Sequence, residues 1–224
     1  MQEQFSRSAG VLMPVSSLPG PYGIGTFGKK AYEFVDNLVK ARQKYWQVLP
    51  LGPTSFGDSP YASFSAFAGN PYFIDLDMLI EEGLLTKEFV DSKRWNIEDQ
   101  YVDYGLVYNS RFEVLRVAYE NSNHKELDEY KEFFTENEFW LEDYSLYRAC
   151  KDKYEGRPWS EWDKEIKFRE AETVGAFKEE LKDDMDFYKF IQFKFNEQWC
   201  KLKEYANENG ILIIGDIPIY VAMD

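Results

Sequence analysis

Ala9-Gly10-Val11-Leu12-Met13, a Gly/Pro-rich loop from Pro14 to Gly28, an amphipathic stretch from Lys29 to Tyr45, and Trp46-Gln47-Val48-Leu49-Pro50-Leu51 follow one another, and their order decides the fold. The first and last of these are short apolar runs, which read as buried strands. Between them Ala31, Phe34, Val35, Leu38 and Val39 recur at helical spacing and give a helix one apolar face. Strand, helix and strand at this length form a βαβ unit with a parallel pair. The same logic returns near the C-terminus. Phe187, Phe190, Ile191, Phe195, Trp199, Leu202, Tyr205 and Ala206 mark one helix face, and Gly210 stands where a helix-ending glycine belongs. Ile211 to Ile214 is then another continuous apolar run. Such strands after amphipathic helices predict a parallel sheet covered on both faces.

The stretch between these two regions lacks strand-helix alternation. A polar loop runs from Gly52 to about Pro71, and helical patterns follow at 78–93, 105–121, 125–137 and 139–153. A polar segment at 154–172 carries Trp159 and Trp162, and the acidic, Lys-interleaved stretches 125–138 and 161–184 read as solvated helix faces. The predicted organisation is therefore 1–76 for two βα units and the polar loop after them, 77–178 for a helical insertion, and 179–224 for a helix and third strand. Charge follows this division. The first 70 residues hold six basic and four acidic side chains, with eight of the 14 glycines and six of the nine prolines, so the excess of acid lies beyond them.

With 40 acidic against 26 basic residues and a formal charge of −14, the 224-residue chain lacks the basic face that nucleic acid requires. One histidine, His124, and two cysteines, Cys150 and Cys200, cannot alone make a zinc site, and any Ser-His or Cys-His chemistry has to run through His124. These three residues read as structural or solvated. Residues 1–10 are polar and show no signal-peptide core, and no apolar run reaches the roughly 18 residues of a membrane helix, so a cytoplasmic protein is expected. The sequence stops just past an apolar strand, which predicts a truncated or partly recorded chain rather than a compact three-stranded domain.

Three motifs bear on chemistry. Gly23-Ile-Gly-Thr-Phe-Gly28 fits the dinucleotide pattern, but nine residues separate it from Met13 and no acidic residue closes the second strand, so the glycines are read as shaping a loop over a cleft. Asp58-Ser59-Pro60 is good turn chemistry. Around it, however, Phe56, Tyr61, Phe64, Phe67 and Tyr72 crowd a short loop with Asp58, Ser59 and Asn70, and rings beside short polar groups suit sugars. Asp216 follows an apolar strand; it either caps a local turn or stands at the C-terminal strand end, where ligand sites of parallel α/β folds lie.

Four blocks in order then resemble the 4-α-glucanotransferases, the amylomaltases of glycoside hydrolase family 77. They are Ser8 to Phe27, Trp46 to Thr54, Gly57-Asp-Ser-Pro-Tyr-Ala-Ser-Phe-Ser-Ala-Phe-Ala-Gly-Asn-Pro-Tyr72, and Gly215-Asp-Ile-Pro-Ile-Tyr-Val-Ala222. The resemblance implies an α/β fold, namely the N-terminal portion of a (β/α)8 TIM-type barrel with a largely helical insertion between strands 2 and 3. It implies transfer of α-1,4-glucan segments to the 4-hydroxyl of glucose or a maltooligosaccharide, with a retaining mechanism and no cofactor or metal. Maltooligosaccharides or α-1,4-glucans are the implied partners. The substrate-binding residues it implies are Ser59, Tyr61 and Asp216, joined from the loop's composition by Asp58, Asn70 and Phe56; Phe56 stands where many members carry tyrosine. The nucleophile and acid/base are expected beyond Asp224, leaving this chain inactive alone. An α-amylase-like hydrolase and a non-catalytic glucan-binding module are the alternatives.

Overall fold

The computed structural model describes residues 7–55, 57–98 and 100–222. Its strands are β1 (Gly10–Leu12), β2 (Tyr45–Gln47), β3 (Ala62–Ser63), β4 (Leu212–Ile214) and β5 (Tyr220–Val221). The first parallel sheet has the order β1-β2-β4, and β3 and β5 form a second parallel pair. The helices are α1 (Lys29–Lys40), α2 (Leu76–Glu81), α3 (Lys87–Asp91), α4 (Tyr104–Glu120), α5 (Asp128–Lys153), α6 (Lys164–Lys167), α7 (Ala171–Glu180) and α8 (Lys182–Glu208).

Strand register explains how the sheet is covered. Val11 pairs with Trp46, and Trp46 with Ile213. This row joins one core with Ala31, Val35 and Leu38 of α1 and with Leu202 and Ala206 of α8. Alternate residues of a strand point to opposite faces. The opposite row accordingly leaves Leu12, Leu212 and Ile214 exposed. The two-sided cover expected from the apolar runs is thus not met among the described residues, because α1 and α8 both pack on the Trp46 face.

The helical stretches follow the sequence pattern with two revisions. The pattern at 78–93 is broken between α2 and α3, because Gly83 takes a positive φ of 75° and Thr86 caps α3 by accepting from the Phe89 N–H. The two stretches at 125–137 and 139–153 are a single helix, α5. Asn137 does not break it, since its side-chain amide donates to the Phe133 carbonyl within the helix. The first amphipathic stretch also ends before Tyr45, with Arg42 at φ 55° and the Gln43 N–H donating to the Leu38 carbonyl.

Helix α8 is the spine. Leu202 and Ala206 sit in the main core, Met185 in a cluster with Cys150, Trp162 and Ile166, and Phe193 in a cluster with Tyr130, Phe133 and Leu141. The main core also takes in Leu76, Leu79, Val107 and Leu115 from the region between the second and third strands of the sheet. Both cysteines are free; Cys150 is buried, which pushes its thiol up to about 11. Among the described residues no helix is long and apolar enough to cross a membrane.

His124 is a core residue, in a short 3-10 turn before α5, ringed by Tyr119, Tyr130 and Phe190. Its Nδ1 lies 2.7 Å from the Ser122 hydroxyl, and Nε2 is buried without a partner. Ser122 donates its own proton to the Tyr119 carbonyl, so the pair cannot act as a nucleophile and base. Burial, with the nearby cations Lys125 and Lys194 outweighing Asp186, lowers the imidazole pKa to about 4. An unfolded histidine titrates near 6.5, so between pH ~4 and ~6.5 the unfolded chain binds more protons and stability falls on acidification. From pH 7.5 to pH 5 the full-length protein is expected to lose on the order of 2 kcal/mol that His124→Phe does not lose. Urea unfolding at both pH values reads the difference, and parallel losses would refute it.

Candidate functional site

Tyr61 and Asp216 stand 155 residues apart in sequence, and the structure brings them into contact, with the Tyr61 hydroxyl donating to Asp216 Oδ2 at 2.8 Å. The second strand pair makes this possible. Ala62 is in register with Tyr220, and the Tyr220 N–H donates to the Tyr61 carbonyl at 3.1 Å. On the other side the Ser55 N–H donates to the Ala62 carbonyl, so the segment bearing Tyr61 is held from both flanks. The other oxygen of Asp216 accepts the N–H of Ile217 at 2.8 Å. Both carboxylate oxygens therefore have fixed donors, and the hydrogen bond to Asp216 holds the Tyr61 phenol above its ordinary pKa.

The neighbouring candidates divide by role. The Ser59 hydroxyl accepts the Tyr61 N–H and the Ser59 carbonyl accepts that of Ala62, so Ser59 shapes the turn that presents Tyr61. Asp58 adopts φ 56°, and its partly buried carboxyl is raised in pKa by burial. Asn70 is buried; its Oδ1 caps the turn Pro71–Phe73 by accepting from Tyr72 N–H, and its own N–H donates to the Leu51 carbonyl. Phe56 lies outside the described residues.

A cleft runs beside this loop. One lobe, of about 730 Å³, is walled by Asp58, Tyr72, Tyr104, Tyr108, Arg148 and Asp152. A second, of about 750 Å³, lies between Ser16–Gly20 on one side and Asn96, Gln100, Tyr101, Val102 and Tyr104 on the other. Tyr104 borders both, and between them a small cavity is lined by Pro14, Ser16, Leu49, Leu51, Asp58 and Asn70. Of these, Pro14 and Ser16 follow β1, and Leu49 and Leu51 follow β2, so the cleft opens at the carboxyl ends of the parallel strands, and Asp216 follows β4 on the same side. Of the motif glycines, Gly23 borders the second lobe, whereas Gly25 and Gly28 have no room for a Cβ because they lie against the Val15 carbonyl and the Asp75 carboxylate.

Residues from the helical region were missed in sequence. Arg148, buried, stacks its guanidinium over Phe64, Phe112 and Tyr188, and donates to the Tyr188 hydroxyl. Its signal is a lone cation at helical spacing between Tyr144 and Asp152. Tyr104 and Tyr108 likewise stand one turn apart on α4. Among the described residues no group of three or more His, Cys, Asp or Glu side chains is placed to hold a metal ion.

Fold and cleft together define a parallel α/β protein with a polar, aromatic-walled cleft at its strand ends. Comparison with known proteins gives the family. The family model described as 4-alpha-glucanotransferase, glycoside hydrolase family 77, matches residues 13–224. The 4-alpha-glucanotransferase of Clostridium butyricum is 54% identical over 212 residues, covering 95% of this chain and 44% of that protein. That of Thermus thermophilus is 44% identical over 225 residues, covering 99% and 44%. Among solved structures, amylomaltase from Streptococcus agalactiae in complex with acarbose superposes with a TM-score of 0.91 at 42% identity, covering 97% of this chain and 45% of that one. Amylomaltase from Corynebacterium glutamicum, at 17% identity and a TM-score of 0.72, shares the fold. The chain belongs to the 4-alpha-glucanotransferase family, and it spans a little under half the length of the first two of these relatives.

Proposed function

We propose that the full-length protein transfers α-1,4-glucan segments from a donor maltooligosaccharide to the 4-hydroxyl of an acceptor glucose or maltooligosaccharide, by a retaining path through a glucosyl-enzyme. This chain supplies part of the substrate side of the cleft. Tyr61 and Asp216 bind sugar directly, and Asp58, Ser59 and Asn70 shape the loop around them. The sheet β1-β2-β4 is the opening of a (β/α)8 barrel, with the exposed Leu12, Leu212 and Ile214 facing its interior. The nucleophile and acid/base lie outside this chain, which is inactive by itself, and the protein works in the cytoplasm.

The observation that carries the reading is the Tyr61–Asp216 hydrogen bond. It joins a loop and a strand end that were each singled out for sugar chemistry, and it lies on the strand-end side where α/β ligands sit. Family membership and the acarbose complex of the related amylomaltase support the same substrate class. The full-length protein given maltotriose is expected to form glucose together with a ladder of longer maltooligosaccharides. Glucose and maltose without longer products would replace transfer by hydrolysis. No turnover, with saturable maltotetraose binding, would make it a binding module.

A further inference from the structure

Two glutamines on α8 each grip a backbone segment at two points. The Gly69 N–H donates to Gln192 Oε1 at 2.7 Å, and Gln192 Nε2 donates back to the Gly69 carbonyl at 3.0 Å. Six residues further on, Gln198 does the same to Asp75, at 2.6 and 3.1 Å. Both side chains are buried, 2% and 0% exposed. Buried amides of this kind are retained at a desolvation cost that only full pairing offsets. The Gln198 clamp seats the first residue before α2. The Gln192 clamp falls on Gly69, which closes the loop that carries Tyr61.

The path from Gly69 back to Tyr61 is stiff. The Ala68 N–H donates to the Ser65 hydroxyl, the Ser65 N–H donates to the Ser63 hydroxyl, and Ser63 donates to the Ser65 carbonyl. Ser63 is in β3, two residues from Tyr61. Gly69 itself lies against the ring of Phe195, one turn along α8 from Gln192, with no room for a Cβ. The other end of the same helix leads to Asp216. The Ile211 N–H donates to the Ala206 carbonyl, and β4 then pairs with β2 and delivers Asp216 two residues later. One helix therefore sets the position of both partners of the Tyr61–Asp216 bond.

We propose that Gln192 is a positioning residue for the transfer reaction: by holding both backbone groups of Gly69 against α8, it fixes the loop that delivers Tyr61 to Asp216. The inference rests on the transferase reading of this site. Gln192 is buried behind Gly69 and acts through Tyr61, which separates it from Gln198, whose clamp serves α2.

A double-mutant cycle in the full-length protein tests it. Gln192→Met is expected to lower kcat/KM for maltotriose disproportionation by up to about tenfold, the loss expected for Tyr61→Phe, since small displacements of a binding group are costly. In a Tyr61→Phe background the same change should cost less than about threefold, because the effect passes through the lost hydroxyl. Gln198→Met, with a comparable fall in thermal midpoint, should change activity by the same factor in both backgrounds. Equal losses for Gln192→Met with and without the Tyr61 hydroxyl would overturn the proposal. Gln192→Glu keeps the acceptor for Gly69 N–H and repeats the cycle if the methionine variant does not fold. Hydrogen exchange reads the inference separately from activity. In Gln192→Met, residues 59–70 and 216–222 should lose protection together, although Gln192 contacts only the first segment; unchanged protection at 216–222 would equally overturn it. A wild-type protein without transfer activity but with this coupled exchange would instead count against the function while leaving the positioning role standing.

Discussion

If Asp216 binds sugar as proposed, Asp216→Ala in the full-length protein is expected to lower kcat/KM for maltotriose disproportionation by at least about a hundredfold, as loss of a fixed charge in a site does. The geometry gives the reason. One carboxylate oxygen is held by Ile217 N–H and the other by the Tyr61 hydroxyl, so the group has little freedom to leave the strand end. Each oxygen retains a further lone pair, so the fixed carboxylate keeps acceptor capacity for the sugar hydroxyls proposed to meet it. Tyr61→Phe removes one of the two tethers but leaves the charge, so its loss should be smaller, about tenfold. Asp216→Asn keeps the size and one acceptor oxygen but no charge, and should fall between them. The order of the three variants is the informative result. Asp216→Ala within twofold of wild type would remove Asp216 from the site. Tyr61→Phe more harmful than Asp216→Ala would make the hydroxyl, rather than the carboxylate, the group that meets substrate. Because the bond to Asp216 holds the Tyr61 phenol above its ordinary pKa, the hydroxyl stays protonated across the working range, and the activity of Tyr61→Phe should track wild type in pH profile.

The parts of this arrangement that sequence shows are those written in local periodicity. The helix face at Ala31, Val35 and Leu38 and the apolar run at 211–214 follow from residues near each other in the chain, so the parallel β1-β2-β4 sheet was legible. Tyr61 and Asp216 were legible one at a time, the first from the company of rings and short polar groups, the second from its place after a strand. Their bond was not. It depends on β3 and β5, which are two residues each, too short to show an alternation of apolar and polar positions. The apolar runs show that the strands suit cover on both faces, but not that α1 and α8 both pack on the Trp46 face, because a run does not record which helices reach each face. The division between the stretches 125–137 and 139–153 is likewise not met: the two are one helix, in which Asn137 bonds back to Phe133. Asn70, grouped with the sugar-facing residues by composition, spends its side-chain oxygen on the turn that begins at Pro71.

The largest effect on stability is expected at Asp75. This carboxylate, 6% exposed, has three tasks. Oδ1 caps α2 by accepting from Met78 N–H at 3.0 Å, and Oδ2 accepts from the Thr26 hydroxyl at 2.6 Å. Its negative charge also supports the guanidinium of Arg111, which is fully buried and donates to the carbonyls of Ile74 and Tyr22. Burial pushes Arg111 down to about 10, so it is still a cation at neutral pH, and Nε has no hydrogen-bond partner. Asp75→Ala removes a helix cap, leaves the Thr26 hydroxyl without its acceptor, and takes away a negative charge that supports a buried cation. The expected loss is about 3–4 kcal/mol, the sum of a lost cap, an orphaned buried hydroxyl and a weakened buried cation. Asp75→Asn separates the parts in another way: its one oxygen can still cap α2, while its amide nitrogen faces the Thr26 hydroxyl as a donor, so it loses the charge and the acceptor for Thr26 but keeps the cap, at about half the total cost. If the charge is what matters, combining Asp75→Asn with Arg111→Met should cost less than the sum of the two, with a coupling of about 1–3 kcal/mol. Urea unfolding of the full-length protein, with unchanged slopes against denaturant, measures all three. A loss under about 1 kcal/mol for Asp75→Ala would mean that Arg111 is held by its backbone acceptors and by the face of Trp95, 5.2 Å from the guanidinium carbon, and needs no carboxylate.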